Sequence, residues 1–425
     1  MFYWLKELKS SEKRALGAAY GGYAVDAFDY MVYPFIIPTL MAIWMMDKGQ
    51  AGMIATATLL SSALGGWLAG ILADRYGRVR VLQWTILVFA VFTFLSGMTN
   101  SYWQLLITRS LQGLGFGGEW SVGSVLIAEM IRPRHRGKAV GLVQSSWSVG
   151  WGLAALTYTG IYALVPEEWA WRILFWLGIL PAVLIVFIRR YVKEPEVYLE
   201  TRKRVEAGEE SGHFLDIFKP AILRTTLLAS LVATGMQGGY YGITTWLPTF
   251  LKTERNLSVF NTGGYLFIII MGSFFGYLTG AYLSDRIGRR KCFILFAVAS
   301  MTLVTLYTRL PITDTAMLFL GFPLGFFVSG IFSGMGAFLS ELFPNAIRGS
   351  GQGFCYNVGR GIGAFFPAVI GYLSAQMGLG IAVGIFAGGA YLLVIIGVLL
   401  LPETRGRVLS DKVASSQDSL AQQEN

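Results

Sequence analysis

The sequence contains few charged residues, only two histidines and only two cysteines. Asp, Glu, Lys and Arg make up 14% of the 425 residues, whereas a soluble domain carries roughly 25%. The histidines and cysteines form no nucleophile–base pattern and no metal-ligand spacing. This scarcity argues against a soluble enzyme, against a metal site and against a disulfide, and no cofactor is expected.

Long apolar runs dominate the chain instead. Hydrophobic residues make up 54% of it and glycine occurs 52 times, and glycine is frequent in membrane helices because it lets helices approach closely. A helix of about 20 residues crosses a hydrocarbon core of ~30 Å. Twelve runs have about that length: 15–43, 50–73, 81–99, 102–130, 137–164, 170–190, 222–251, 261–283, 291–309, 314–341, 349–376 and 379–401. They predict an all-α membrane protein with twelve transmembrane helices.

The basic residues are distributed unevenly between the two ends of these runs. Of the 34 Lys and Arg residues, 27 fall in segments that share a side with both termini. Because basic residues concentrate on the cytoplasmic side, both termini are expected in the cytoplasm, and the net charge of +9 needs no nucleic-acid partner. The predicted division is a cytoplasmic segment 1–14, a six-helix bundle 15–190, a cytoplasmic linker 191–221, a second six-helix bundle 222–401 and a cytoplasmic tail 402–425.

A charged motif occurs once in each half. Residues 70–80 read G-I-L-A-D-R-Y-G-R-V-R, and residues 280–291 read G-A-Y-L-S-D-R-I-G-R-R-K, with their aspartates 211 residues apart. A Glu followed seven residues later by Arg-Gly also recurs, at an offset of 212, as Glu129 with Arg136 and Glu341 with Arg348. Matched features at nearly one offset predict an internal duplication.

The repeated motif resembles the signature loop of the major facilitator superfamily, and the resemblance covers the whole chain. It implies two six-helix bundles that rock about a site near the membrane midplane. In such loops an Asp can cap a facing helix and the Arg residues can pair with the glutamates, so we expect gates that form in one state and break in the other. A simple basic loop is the alternative. The expected gating residues are Gly70, Asp74, Arg75, Gly77, Arg78, Glu129, Arg136, Asp285, Arg286, Gly288, Arg289, Glu341 and Arg348.

Two further segments resemble one branch of that family. Residues 26–29 read D-A-F-D and residues 115–120 read G-F-G-G-E-W. This pairing resembles the sialate:proton symporters, their monocarboxylate-carrying relatives and the aromatic acid:proton symporters. Ala27 stands where these groups commonly have Gly. The resemblance implies an organic anion carried together with protons and leaves open which anion.

Four ionisable residues in the first half are candidates for proton coupling. Asp26 and Asp29 share one face of the first helix, one turn apart. Two carboxylates so close in a low dielectric do not both ionise easily, which suits a proton carrier. Glu119 is a further candidate, and the resemblance links Arg109 to proton movement. The alternative is structural: the acids pair with Arg109 or merely neutralise another basic residue.

Arg360 is the candidate anchor for a substrate carboxylate. It lies eleven residues into its run, about 16 Å deep at 1.5 Å per residue, and no acid of its own half lies at that depth. Tyr356 and Asn357 are one turn earlier on the same face. The alternative is an ion pair across the bundles with Asp26 or Asp29. Further predicted substrate contacts are Gln144, Trp147, Gln237, Tyr241 and Tyr33.

The function expected from these features is transport. A proton-coupled symporter would take up a small organic carboxylate, such as a sialate-like, monocarboxylate or aromatic acid, across a bacterial inner membrane. Protons would be the coupling ion, and the chain is expected to act as a monomer in the lipid bilayer. The alternatives are an uncoupled facilitator and a proton symporter of a neutral solute such as a sugar.

Overall fold

A computed structural model of the chain describes residues 3–131, 133–180, 183, 192, 194, 214–344 and 347–405, without the side chains of residues 3, 74, 124, 125, 128, 129, 133–137 and 214. All regular elements within these residues are helical. Most of the predicted linker 191–221, the part of the predicted tail beyond Arg405 and, within the predicted sixth run 170–190, residues 181, 182 and 184–190 lie outside the described residues.

Twelve helices can be followed in the described residues, six in each half. The first half has α1 (Ser10–Trp44), α2 (Lys48–Tyr76), α3 (Arg78–Ser96), α4 (Tyr102–Met130), α5 (Pro133–Leu164) and α6 (Glu167–Leu177). The second half has α7 (Pro220–Thr253), α8 (Val259–Ile287), α9 (Arg289–Arg309), α10 (Asp314–Glu341), α11 (Arg348–Met377) and α12 (Leu379–Leu400). A 3-10 turn at Ile331–Gly334 interrupts α10, and α11 is broken at Ala364.

The helices have the length and the surface of membrane spans. Within the described residues, eight are long and apolar enough to cross a bilayer. Helices α4 and α7 are also long, at 29 and 34 residues, but they carry buried polar side chains, such as Glu119 and Gln237, that lower their hydropathy. Large apolar side chains, among them Leu68, Leu156 and Ile396, are exposed. Such a surface suits lipid rather than water.

The two halves pack by the same rule, in which glycine brings paired helices into backbone contact. A Cβ added to Gly117 of α4 would lie 1.7 Å from the carbonyl oxygen of Ser62 in α2. The equivalent pair in the second half is α10 on α8, where a Cβ on Gly325 would lie 1.8 Å from the Ile269 carbonyl oxygen. Small residues permit this approach between membrane helices. The duplication in the sequence is therefore a duplication in packing.

The two bundles also contact each other, and closely so at the end opposite Ser10 and Arg405, which we call the distal end. The hydroxyl of Thr56 in α2 donates to the Ala364 carbonyl (2.6 Å) and accepts from the Ala368 amide (3.2 Å), both at the break in α11. A Cβ on Gly371 of α11 would lie 2.3 Å from the Lys48 carbonyl oxygen. The distal ends of α2 and α11 are thus in backbone contact.

Candidate functional site

Arg360 lies between the two bundles and is only 2% exposed. Its guanidinium donates to Ser62 Oγ of α2 (2.8 Å), to Gln237 Oε1 of α7 (3.3 Å) and to the Tyr356 hydroxyl (3.0 Å). It also lies 5.5 Å from the centre of the Phe116 ring of α4. All of these partners are neutral. The buried cation is therefore held by hydrogen bonds and rings, with no direct carboxylate partner among the described residues.

The surroundings of Arg360 are themselves held in place. Gln237 Nε2 donates to the Tyr356 carbonyl oxygen (2.8 Å), which orients the amide oxygen towards the guanidinium. Gly359, the residue before Arg360, lets α7 approach α11, because a Cβ there would lie 2.4 Å from the Ala233 Cβ. The tight α7–α11 contact thus presents a fixed guanidinium fork to the first bundle.

Asp26 and Glu119 form a buried acid pair in the first bundle. Their carboxyl groups, on α1 and α4, lie within hydrogen-bonding reach of each other. Neither oxygen of Asp26 accepts a hydrogen bond from any donor in the described part of the chain. Carboxylate oxygens only accept, so a hydrogen bond between these two groups requires a proton on one of them.

Asp29 meets a different partner from Asp26. Arg109 of α4 is the nearby cation, and its guanidinium lies 5.5 Å from the ring centre of Tyr33 and 5.6 Å from that of Phe175. The Thr93 hydroxyl lies within hydrogen-bonding reach of Asp29, whereas Nε and Nη1 of Arg109 donate no hydrogen bond within the described residues. The attraction between Asp29 and Arg109 is thus a charge interaction without a direct hydrogen bond.

Aromatic side chains link one bundle to the other. Trp147 Nε1 of α5 donates to the Tyr240 hydroxyl of α7 (2.6 Å). The rings of Tyr30 and Tyr241 meet edge to face at 5.4 Å between centroids. Of the predicted contacts, Trp147, Gln237, Tyr241 and Tyr356 therefore all lie at this interface.

Two matched bundles around buried charges match a known protein family. The family model described as Major Facilitator Superfamily matches residues 19–291 and 270–417. The chain belongs to the major facilitator superfamily. The predicted family, its twelve-helix fold and the absence of enzymatic character are thereby confirmed, since members of this family are membrane transporters.

Relatives with stated substrates include two bacterial proteins. The chain is 44% identical over 406 residues to the probable 4-methylmuconolactone transporter of Cupriavidus pinatubonensis, covering 96% of this chain and 94% of that protein. It is 30% identical over 385 residues to the cis,cis-muconate transport protein of Acinetobacter baylyi, covering 89% and 92%. These relatives agree with the predicted carboxylate branch.

The structure of the proton:xylose symporter XylE is similar in fold. The TM-score is 0.74 at 19% identity, covering 95% of this chain and 98% of that one. At that identity the likeness supports the major facilitator fold alone.

Three predicted substrate contacts make no described contact with the Arg360 guanidinium. The Tyr33 hydroxyl donates to the Ala51 carbonyl oxygen (2.7 Å), and its ring lies beside Arg109 rather than Arg360. Asn357 Nδ2 donates to the Gly353 carbonyl of its own helix (3.0 Å). Helical spacing explains why Tyr356 contacts Arg360 and Asn357 does not. Asn357, three positions before Arg360, is rotated further from it around the helix than Tyr356, four positions before.

Gln144 is the third. It is buried, and its Oε1 has no hydrogen-bond donor among the described residues. It makes no described contact with the Arg360 guanidinium.

Three predicted gate residues of the second half, Asp285, Arg289 and Glu341, form a cluster at the end of the bundle where α9 begins. Arg289 pairs with Asp285 and, through Nη2, with Glu341 (3.0 Å). Thr404 donates to Glu341 (2.6 Å), and Arg348 Nε donates to the Ser340 carbonyl (3.0 Å). Arg286 is exposed at the end of α8.

The corresponding residues of the first half are described only in part. The side chains of Asp74, Glu129 and Arg136 lie outside the described residues. Arg75 is exposed, with its guanidinium 5.5 Å from the centre of the Tyr76 ring. Gly70 has open space around its Cβ position.

Two glutamates at this end have a role that the sequence reasoning missed. Glu194 accepts from the amides of Arg78 and Val79 (2.9 and 3.0 Å), at the start of α3. Glu403 accepts from the amides of Arg289 and Arg290 (2.9 and 3.1 Å), at the start of α9. A carboxylate at a helix N-terminus satisfies unpaired amides and opposes the helix dipole. The sequence signal was a glutamate next to a proline near the end of each half, Glu194 before Pro195 and Glu403 after Pro402.

Glycine makes these caps possible. Gly77 and Gly288 precede α3 and α9 with φ of 106° and 99°, a region that other residues rarely adopt. A Cβ on Gly77 would lie 2.5 Å from Glu194 Oε1, and one on Gly288 would lie 2.8 Å from Glu403 Oε2. The glycines of the repeated motif therefore serve the entry of the capping carboxylate.

Proposed function

We propose that this membrane transporter is a proton-coupled symporter that imports a small organic carboxylate. The observation that carries the proposal is Arg360, a cation buried between the bundles whose described hydrogen-bond partners are all neutral. A charge at such depth costs at least ~2.5–3.5 kcal/mol, which indicates a function that repays the cost.

The guanidinium suits a carboxylate better than it suits its present partners. A carboxylate can accept two parallel hydrogen bonds from one guanidinium, and charge-assisted bonds are about twice as strong as neutral ones. Arg360 hydrogen-bonds Gln237, Tyr356 and Tyr241 in its own bundle, and Ser62 is its described hydrogen-bond partner in the first bundle. An incoming carboxylate that displaced Ser62 would therefore exchange a contact between bundles for a contact with substrate.

The acids of the first bundle would carry the proton. Asp26, Asp29 and Glu119 face two arginines, Arg109 and Arg360, which leaves a formal charge of −1 at membrane depth. One proton on the Asp26–Glu119 pair brings this sum to zero, and an anion entering with a further proton keeps it there. A neutral interior reorients in a low dielectric at less cost.

Direction, location and substrate class rest on the charge bias and on the relatives. The bias of basic residues supports cytoplasmic termini, and bacterial relatives support the bacterial cytoplasmic membrane. Carriers named for 4-methylmuconolactone and cis,cis-muconate support an organic acid as the substrate class.

Uptake into proteoliposomes tests the proposal. Lactate, sialate, benzoate, nicotinate, cis,cis-muconate and the neutral sugar xylose are offered with and without an inward proton gradient, and protein-free vesicles measure passive entry. We expect accumulation of at least one acid above its external concentration only with the gradient. Accumulation that is equal with and without the gradient, or uptake of xylose but of none of the acids, contradicts the proposal.

A further inference from the structure

Aromatic rings from the two bundles face each other as two walls on either side of the bundle interface. The wall of the first bundle consists of Tyr23, Tyr30, Phe116, Trp120 and Trp147, and its rings contact one another at centroid distances of 4.6–6.0 Å. The wall of the second bundle consists of Tyr240, Tyr241 and Tyr356. These two sets are called the first and second aromatic walls below.

The two walls meet across the bundle interface at Arg360. Trp120 lies 6.3 Å from Tyr356 between ring centroids, and Tyr30 lies 5.4 Å from Tyr241. Arg360, on the side of the second wall, lies over Phe116 of the first. If the bundles rock apart, these contacts separate together. A flat group inserted beside Arg360 would restore ring contacts to both walls.

From this geometry we infer that the substrate is a planar, conjugated carboxylate that stacks against Phe116 while its carboxylate pairs with Arg360. The inference rests on the proposed function. Aromatic faces favour flat π systems in offset or edge-on contact, and a puckered saturated ring of the same carbon count offers no such face.

The polar atoms of the walls support a substrate with few hydroxyl groups. The Tyr240 hydroxyl already accepts from Trp147, and the Tyr356 hydroxyl accepts from Arg360. The Tyr30 hydroxyl is buried without a hydrogen-bond partner among the described residues. Two of the wall hydroxyls are therefore already committed to partners within the protein, whereas a polyhydroxylated acid would need several free polar contacts.

Phe116 occupies the point where substrate recognition concentrates. Its ring stacks on Tyr30 with an interplanar angle of 13° and a centroid distance of 5.4 Å, and it lies 6.0 Å from Trp147. Its other neighbour is the Arg360 guanidinium. A ring attached to a carboxylate bound by Arg360 would lie against Phe116 first.

Matched acid pairs test the inference. Uptake of benzoate is compared with that of cyclohexanecarboxylate, and uptake of cis,cis-muconate with that of adipate, after subtraction of entry into protein-free vesicles. We expect the planar member of the accepted pair to be preferred by about tenfold, as one or two aromatic contacts would give. Phe116→Leu should reduce that preference to about threefold or less and retain uptake of the saturated acid. Phe116→Tyr, which keeps an aromatic ring, should show the preference of the wild type. Phe275→Leu, at an exposed ring of α8, should leave the preference unchanged.

The outcomes separate the inference from the proposed function. Equal uptake of planar and saturated acids, driven by protons, overturns the inference and leaves the symport proposal standing. An unchanged preference in a folded Phe116→Leu protein overturns the assignment to the aromatic walls. If the uptake of every acid is independent of the proton gradient, the proposed function is overturned, and the inference with it.

Discussion

Arg360 carries the substrate hypothesis at the scale of single residues. Lysine would keep the charge and lose the planar fork. Because a bidentate contact becomes a single-point contact, we expect Arg360→Lys to raise the KM for the transported acid about tenfold or more. Arg309→Lys, at an exposed position at the end of α9, should leave the KM unchanged. An Arg360→Lys protein with normal KM would show that the carboxylate binds elsewhere.

Asp26 carries the coupling hypothesis, because its carboxyl lies within reach of Glu119. Asparagine can donate and accept hydrogen bonds but cannot take up a proton. We expect Asp26→Asn to abolish gradient-driven accumulation while substrate exchange across the membrane persists. Uptake by the wild type should rise as the external pH falls, and that dependence should disappear in the variant. Intact accumulation in Asp26→Asn, together with its loss in Asp29→Asn, would move the coupling role to Asp29 and Arg109.

Single residues also show which contacts the sequence can predict. Helical spacing correctly predicts that Asp26 and Asp29 share a face of α1. It cannot predict that one meets Glu119 and the other Arg109, because those partners lie ten residues apart on α4 and depend on how α4 packs. The contact of Tyr33 could not be predicted either, because its hydroxyl donates to the Ala51 carbonyl of α2.

At the scale of elements, glycine determines how closely two helices approach each other. A Cβ on Gly117 would overlap the Ser62 carbonyl at 1.7 Å, so Gly117→Ala must push α4 away from α2. Overpacking typically costs about 1–3 kcal/mol, and we expect a lower melting temperature in detergent. Gly123→Ala is the matched control, on the same helix with no atom within 4 Å of its Cβ position. Equal melting of the two variants would contradict the packing account.

Thr56 joins two elements from different bundles at the break in α11. Its hydroxyl bonds both the Ala364 carbonyl and the Ala368 amide, and removing it leaves buried groups with fewer partners, at a cost of about 1–3 kcal/mol. We expect Thr56→Val to lower the melting temperature. Thr58→Val should lower it less, because the Thr58 hydroxyl bonds only the Ile54 carbonyl of its own helix. Equal effects would mean that Thr56 does not hold the distal contact.

Elements were predicted well where length and hydropathy decide them. The apolar runs predict helices close to those observed, because a membrane span needs about 20 apolar residues. The break in α11 and the 3-10 turn in α10 were not predicted, although Pro367 follows the break and Gly330 and Gly334 stand at the turn. A proline removes a backbone hydrogen bond and clashes with the carbonyl four residues earlier, so the sequence did contain a signal for the first interruption.

The molecule as a whole is a duplicated scaffold with an unduplicated interior. The repeated parts are the glycine contacts of α2 with α4 and of α8 with α10, and the carboxylate caps of α3 and α9. The parts that do not repeat are the acids of the first bundle and Arg360 of the second. A proton side and a substrate side, in separate bundles, would couple through the interface where the aromatic walls meet.

Proton movement driven by substrate tests this coupling most directly. Proteoliposomes without any imposed gradient are suspended in weakly buffered medium, and the acid that is accumulated best is added while the external pH is recorded, with protein-free vesicles as the reference. The account predicts that the external pH rises with uptake in the wild type and stays constant in Asp26→Asn. Uptake of the acid by the wild type at constant external pH would contradict it.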